Sequence, residues 1–351
     1  MNQGVQTWGT RLSDTVRAEL RGGNVEAARQ LARCGDGQAR DLAREYAFMV
    51  RGLGFTVQVL LRLLLETAAR REAIAGVAVR AAPRTEGDLA TLLLRLLRGL
   101  RDSADDELPL PAAETAPAML SAACVQALHA SQERFTLDQA RSADEVVRAL
   151  AEGRVQDAMA RLDAKDRAYL ALHDPLVRFM ADSFGWVVLN FGTQALLDFH
   201  LATAEGQRAG FEKWEQMPAA EFAAMTAFLL KQHMGEVQVR EDERRFTITQ
   251  SPCGSGGRLR LGGAYAGPQP LPFVEEPGPL TFGEPRMPVY CTHCAIWNGS
   301  ATLRWFGRAQ WVFEQPARAD GGCTLHIYKR REDAPADYTR RVELPAAQGA
   351  S

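Results

Sequence analysis

Four cysteines in the last third of the sequence are the residues best suited to do chemistry. Cys291 and Cys294 have the C-x-x-C spacing that lets two thiolates hold one tetrahedral ion. Cys253 precedes a glycine-rich turn, whose flexible backbone can direct N–H groups at a sulfur. These three thiolates predict a zinc site, and Cys323 is a candidate fourth ligand.

The fourth position decides what kind of site this would be. Cys323 would complete a four-thiolate set, which is structural. His326, His233 or His173 would instead complete a set of three cysteines and one histidine. A water molecule or a substrate in that position would make the site catalytic. His293 lies inside the C-x-x-C turn and is poorly placed to bind the same ion. Buried cysteines beside a glycine turn, without a metal, are the alternative.

A redox-active C-x-x-C pair is a lesser alternative. Such pairs normally open a helix after a strand, with the first sulfur at the helix N-terminus. The residues Pro288-Val289-Tyr290 precede the motif, but Ile296-Trp297-Asn298-Gly299 gives little indication of a helix after it. The pattern therefore favours metal binding over redox chemistry.

The turn that follows Cys253 is also a candidate anion site. Successive N–H groups of a glycine-rich turn can surround an anion, and arginines stand beside this one. The residues in question are Gly254, Ser255, Gly256, Gly257 and Arg258, with Arg260 close by. The G-K-[ST] ending of a P-loop is missing, and a plain turn is the alternative.

Two histidines are candidate proton donors or ligands. His173 and Asp174 precede Pro175, and this pattern predicts a helix from Leu176, with Asp174 as its cap and the proline in its first turn. His233 stands at the end of the last predicted helix before the cysteines, where it also complements the helix dipole. Capping roles are the alternative for both sites.

The remaining motifs and charges exclude several classes of function. His129 and His200 are typical of ordinary helical positions, and no G-x-S-x-G, H-E-x-x-H or dinucleotide fingerprint occurs. From residue 236 onward, 14 Lys and Arg balance 13 Asp and Glu, which is not the basic footprint of a nucleic-acid-binding domain.

The compartment is expected to be the cytoplasm. The start of the sequence has no apolar segment typical of a secretory signal. The most apolar run, Gly52–Leu65, is shorter than the roughly 20 residues that span a bilayer, so a buried helix is expected and no membrane partner. The six cysteines should then remain reduced.

The hydrophobic pattern predicts an α+β chain with a helical N-terminal part and a small β-rich C-terminal domain. Apolar residues recur at three- and four-residue steps, then alternate after Gly235. The expected divisions are a first helical segment at 12–102, a linker at 103–117, a second helical segment at 118–235 and the cysteine domain at 236–345.

Within the cysteine domain the sequence predicts a hairpin and several strands. The hairpin turns at Glu241-Asp242-Glu243. Further strands are expected at Arg258–Leu261, Thr302–Trp305, Gln310–Glu314 and Thr324–Lys329, with the last two joined by a turn at 319–322. The stretch Ala266–Pro288 is rich in Pro and Gly and is expected to be loop.

A faint internal repeat links the two helical segments. Gly23-Asn24-Val25 in the first corresponds to Gly153-Arg154-Val155 in the second, and Arg44-Glu45 falls opposite His173-Asp174. A duplication is one hypothesis. Chance similarity between helices rich in alanine and leucine is the other.

Two functions compete on these observations. The first is a zinc-dependent enzyme, most simply a hydrolase, that acts on a small molecule in a cleft between the second helical segment and the cysteine domain. His173 or His233 would move the proton and Arg258 would hold an anionic group. The second is a non-catalytic binding or scaffold protein with a structural zinc. The sequence gives neither the substrate nor the oligomeric state.

Overall fold

The fold is described from a computed structural model covering residues 4–33, 41–75, 84–103, 110–112, 114–314 and 322–344. The chain forms two compact units. One is all-helical and comprises Thr10–Met180; the other combines Met1–Gly9 with Ala181–Ser351 and contains helices and strands. We refer to them as the helical unit and the mixed unit. The predominantly helical chain with a small C-terminal antiparallel sheet confirms the α+β prediction.

Six helices are described between Leu12 and Glu205. They are α1 (Leu12–Arg21), α2 (Val25–Arg33), α3 (Ala47–Ala75), α4 (Arg84–Ser103), α5 (Pro117–Ala151) and α6 (Val155–Glu205). Helix α6 leaves helical geometry at Gly192, where φ is 86°. The predicted helical periodicity is therefore confirmed, and part of the predicted linker lies outside the described residues.

Helix α3 contains the one described segment, Ala47–Arg70, that is long and apolar enough to cross a membrane. In the most apolar window of this segment, 56% of the residues are buried inside the protein. Arg51 and Arg62 lie on its exposed side, and Gln132 of α5 donates a hydrogen bond to the Val50 carbonyl at 2.9 Å. These contacts support the expected role as a packed core helix.

Two helix–turn–helix segments of the helical unit share the same turn. Gly23 and Gly153 both have a positive φ, at 77° and 71°. The amide of the residue that follows each glycine donates to a carbonyl five residues earlier, at 2.9 and 2.8 Å. The flanking core positions also correspond and are buried in one cluster: Val16 with Val146, Leu20 with Leu150, Ala28 with Ala158 and Ala32 with Leu162.

A buried ion pair lies within the helical unit. The Lys165 ammonium and the Glu45 carboxylate are 2.9 Å apart, and their side chains are 0% and 2% exposed. Ser13 donates to the same carboxylate from both its amide and its hydroxyl. Burial alone would raise the pKa of Glu45, but the lysine charge and these hydrogen bonds hold it below its usual value.

The mixed unit places a four-stranded antiparallel sheet against helices. It contains α7 (Arg208–Glu215), α8 (Ala219–Gln232), β1 (Val237–Glu241), β2 (Arg245–Gln250), α9 (Gly256–Leu261), β3 (Phe273–Val274), β4 (Met287–Pro288), α10 (Thr292–Ala295), α11 (Ala301–Phe306), β5 (Val312–Glu314), β6 (Cys323–Tyr328) and α12 (Ala336–Val342). The sheet order is β1-β2-β6-β5, and β3 pairs with β4 separately. A π-helical turn, Ile296–Ser300, joins α10 to α11.

The strand predictions have mixed outcomes. The hairpin β1–β2 and the strands β5 and β6 are present. The predicted strands at Arg258–Leu261 and Thr302–Trp305 are wrong, because these residues are helical. The predicted loop contains the short strands β3 and β4. Most of the predicted turn at 319–322 lies outside the described residues.

Candidate functional site: a buried thiol cluster

The four predicted cysteines come from three chain segments of the mixed unit. Cys253 lies between β2 and α9, Cys291 and Cys294 lie at the start of α10, and Cys323 is the first residue of β6. The pKa of Cys294 is raised first by burial and then by the thiolate forms of Cys291, Cys253 and Cys323, so the four side chains lie in one region of the mixed unit. That they bind one metal ion stays a prediction. We call the set the thiol cluster.

Strand pairing and glycine residues allow the cysteines to approach each other. Strand β2 pairs with β6 so that Gln250 lies opposite Cys323. Gln250 in turn lies three residues before Cys253 in the chain. A β-carbon on Gly256 would lie 2.9 Å from the Cys291 sulfur, which is closer than real contacts allow. A β-carbon on Gly257 would lie 3.1 Å from that of Cys253. Gly256 thus permits the segments of Cys253 and Cys291 to approach each other, and Gly257 permits the tight turn after Cys253.

The guanidinium of Arg260 is the positive group within the cluster. Its Nη1 lies 3.6 Å from the Cys291 sulfur, within hydrogen-bonding distance for sulfur. Burial lowers the pKa of Arg260, but the nearby sulfurs of Cys291, Cys323 and Cys253 raise it overall. The sequence placed this arginine beside an anion turn, whereas the fold directs it at thiols.

Burial raises the pKa of three of the four thiols. It raises the pKa of Cys291 to about 12, although Arg260 opposes the shift. Burial likewise raises the pKa of Cys294 and of Cys323 well above the usual range of a thiol. Buried thiols of high pKa are poor nucleophiles, whereas a bound cation deprotonates its sulfur ligands outright. Without a bound cation, these three cysteines are therefore poorly suited to nucleophilic attack.

The cluster is not preformed around an ion. Within the described ranges, no three His, Cys, Asp or Glu side chains are grouped at metal-binding distances. The five described cysteines are free thiols. The donor types fit Zn²⁺, but the sulfurs would have to turn towards a common centre.

The C-x-x-C motif does open a helix. Cys291 is the N-cap of α10, and β4 ends at Pro288 just before it. The helical path continues through the π-helical turn into α11. The sequence argument against a helix after the motif is therefore wrong, because Ile296–Ser300 adopts a π-helical turn. The geometry that redox pairs use is present, while the raised thiol pKa values oppose that chemistry.

His293 faces its own turn and its neighbour. Its Nδ1 lies within hydrogen-bonding distance of the Tyr290 carbonyl, so this nitrogen carries the proton. Its Nε2 is then an acceptor, and the Cys294 sulfur lies 3.5 Å away. Burial lowers the pKa of His293 to about 4, so the ring is neutral at pH 7. This arrangement distinguishes Cys294 from the two cysteines that Arg260 contacts.

His200 belongs to this site and sequence analysis missed it. Its Nε2 lies 2.7 Å from the hydroxyl of Thr292, which is also 2.6 Å from the Val289 carbonyl. The hydroxyl has one proton and the carbonyl can only accept, so the His200 Nε2–H is the donor to Thr292. Burial lowers the pKa of His200 far below its usual value. The chain gives no local signal for this contact, because 92 residues separate the partners.

The remaining histidine candidates have other partners. His326 was a candidate ligand, but it lies three residues after Cys323 on β6. Because side chains alternate between the two faces of a strand, His326 points to the opposite face of the sheet from Cys323. There it lies 3.1 Å from the Thr247 hydroxyl and 3.3 Å from the Glu314 carboxylate. His233 is the C-cap of α8, as predicted. A β-carbon on Gly254 would lie 2.0 Å from the His233 carbonyl oxygen, so this glycine permits close backbone packing.

His173 and Asp174 lie in the helical unit, inside α6. The predicted capping role of Asp174 is wrong, because Pro175 is accommodated within the helix. The His173 ring is fully buried, 5.2 Å from the Tyr169 ring, and its Nδ1 is 2.8 Å from an Asp174 oxygen. These contacts suit helix packing. The catalytic roles of His173, Asp174 and His233, and anion binding by the 254–258 turn with Arg258, stay predictions.

No protein-family model matches the chain, and neither does any curated protein or solved structure.

Proposed function

We propose that Cys253, Cys291, Cys294 and Cys323 bind one Zn²⁺ and that this ion is structural. The observation that carries the proposal is the pairing of β6 with β2, which sets Cys323 opposite Gln250 and so brings it close to the chain segment of Cys253. Four thiolates complete a tetrahedral sphere and leave no position for a substrate. On this proposal the chain is a binding or scaffold protein whose mixed unit depends on zinc.

Zinc content of the purified protein tests the proposal. Wild-type protein should contain about one zinc per chain, and each Cys→Ser change in the cluster should lower that content. Cys124→Ser is the matched control, because Cys124 is buried as Cys291 and Cys323 are, but lies in the helical unit beside the Leu93 carbonyl. Wild-type protein with less than about a tenth of an equivalent of zinc would refute the proposal.

A second candidate is a zinc enzyme, most simply a hydrolase of a small molecule. The observation in its favour is the contact between Cys294 and His293 Nε2, which sets this cysteine apart from Cys291. Cys253, Cys291 and Cys323 would then hold the ion, and the fourth position would carry water of lowered pKa.

Cobalt substitution separates the two candidates. An open coordination position in the Co²⁺ protein should take up azide and change the visible spectrum, as a three-thiolate site requires. A four-thiolate site should show no change with azide. Cys294→Ser should open the position in the structural case and leave it open in the catalytic case.

We further propose that the helical unit contains a duplicated helix–turn–helix. The shared turn at Gly23 and Gly153 and the corresponding buried residues support this. On this proposal the two copies diverged: Glu45 of the first pairs with Lys165, whereas the corresponding stretch of the second carries His173 and Asp174, which pair with each other.

A further inference from the structure

Arg260 is the described arginine whose guanidinium contacts the thiol cluster. It lies on the short helix α9, and its Nη1 is 3.6 Å from the Cys291 sulfur. Cys323, from a different segment of the chain, also lies near this guanidinium. One side chain therefore contacts one of the three segments that supply the cluster and lies near a second.

The charge of the proposed site makes such a cation useful. Zn²⁺ with four thiolates carries a net charge of −2, and burying uncompensated charge is costly. A guanidinium stays charged and presents several N–H donors in a planar fork, so it can bond two sulfurs at once. Hydrogen bonds to ligand atoms from outside the coordination sphere also tune metal affinity.

We infer that Arg260 is the positioning residue of the proposed zinc site: it donates N–H···S bonds to Cys291 and Cys323 from outside the coordination sphere and offsets one of the two excess negative charges. This inference rests on the proposed zinc site. It goes beyond that proposal because it assigns metal affinity to a residue that is not a ligand.

The opposite effect would follow if Arg260 competed with the metal. A guanidinium that must leave the sulfurs before zinc can bind would lower zinc affinity, and its removal would strengthen binding. The two possibilities predict affinity changes of opposite sign, so one measurement separates them.

The experiment is a zinc competition titration at pH 7 against a chromophoric chelator, on the full-length chain. Arg260→Met keeps much of the side-chain length and removes the charge and the donors. It should weaken zinc binding by about 10- to 100-fold, the usual effect of losing an outer-shell partner. Arg260→Lys keeps the charge but not the planar fork, and should recover only part of the affinity.

Arg304→Met is the control, because Arg304 is an exposed arginine on helix α11 of the same unit. It should bind zinc like the wild type. If Arg260→Met binds zinc as tightly as wild type, or more tightly, the inference about Arg260 is overturned and the zinc site stands. If wild-type protein binds no zinc, both the proposed function and the inference about Arg260 are refuted.

Folding of the variants is checked by far-ultraviolet circular dichroism. Should Arg260→Met not fold, Arg260→Lys becomes the deciding variant. Wild-type affinity in Arg260→Lys would then overturn the two-sulfur bonding, and a loss of about 10-fold would support it.

Discussion

The helical unit and the mixed unit each bury a polar cluster, but they balance its charge differently. In the helical unit, the Glu45 carboxylate meets the Lys165 ammonium and two donors from Ser13. In the mixed unit, the guanidinium of Arg260 contacts a cluster of thiols, and burial raises the pKa of Cys291 among them. The first cluster is complete within the chain, whereas the proposed zinc site would exchange thiol protons for a metal cation.

This difference separates a structural cluster from a candidate functional one. Burying an ion pair gives little net stability, yet removing one partner is expensive. The buried thiols have raised pKa values and would ionise only on binding a metal. Several shifted pKa values close together are typical of functional sites. The predictions below test this contrast in order of expected size.

Lys165→Met should produce the largest loss of stability. It leaves the Glu45 carboxylate buried without its partner, which typically costs about 3–5 kcal/mol. The double variant Glu45→Met with Lys165→Met should recover most of that loss, since the pair is then replaced by apolar groups. Urea unfolding measures both. As a control, Arg141→Met removes an exposed i,i+3 pair with Asp138 and should change stability by less than about 0.5 kcal/mol. A small effect of Lys165→Met would mean that the two clusters do not differ in this way.

Gly256→Ala should disturb the thiol cluster while leaving the helical unit intact. Its β-carbon would lie 2.9 Å from the Cys291 sulfur, and overpacking of this kind usually costs about 1–3 kcal/mol. Zinc content should fall with it. Gly210→Ala is the control, because nothing lies within 4 Å of its β-carbon inside α7, and it should stabilise the protein by about 0.5–1 kcal/mol. Thermal unfolding with elemental analysis distinguishes the two. Normal zinc content in Gly256→Ala would show that the cluster tolerates the displacement.

Alkaline pH should destabilise the metal-free protein. Folded Cys291 and Cys294 have pKa values above that of an unfolded cysteine, near 8.5, so their contribution is complete below that pH and is lost as the pH rises. The slope should reach about 1.4 kcal/mol per pH unit for each such thiol. Zinc should remove this loss of stability, because zinc-bound sulfurs are already deprotonated in the alkaline range. Urea unfolding from pH 7.5 to 10, with and without zinc, measures this. Equal slopes in the two states would contradict metal binding at these sulfurs.

The sequence predicted the elements with strong periodicity and missed those that depend on context. The long apolar helices and the β1–β2 hairpin follow from repeating patterns over many residues. Short runs such as Arg258–Leu261 and Thr302–Trp305 fit a strand or a helix equally well, and tertiary contacts made them helical. The sequence predicts a helix start at Pro175, because proline is common in the first turn of helices. Helix α6 instead contains this proline in its interior.

The candidate site was predictable only where its residues share a motif. The C-x-x-C pair and the Cys-Gly turn identified the cysteines. The contacts made by Arg260 and His200 join residues 31 and 92 positions apart, and nothing in the local sequence indicates them. A buried polar side chain that packs against a distant motif is visible only once the chain has folded.

The spread of the cluster over three segments also bears on how the chain gains order. From Cys253 to Cys291 is 38 positions and from Cys294 to Cys323 is 29, so a shared ion would close two loops of moderate length. Closing such loops costs conformational entropy that rises only slowly with length. An ion bound by all three segments would act as a cross-link does, by removing extended conformations from the unfolded ensemble.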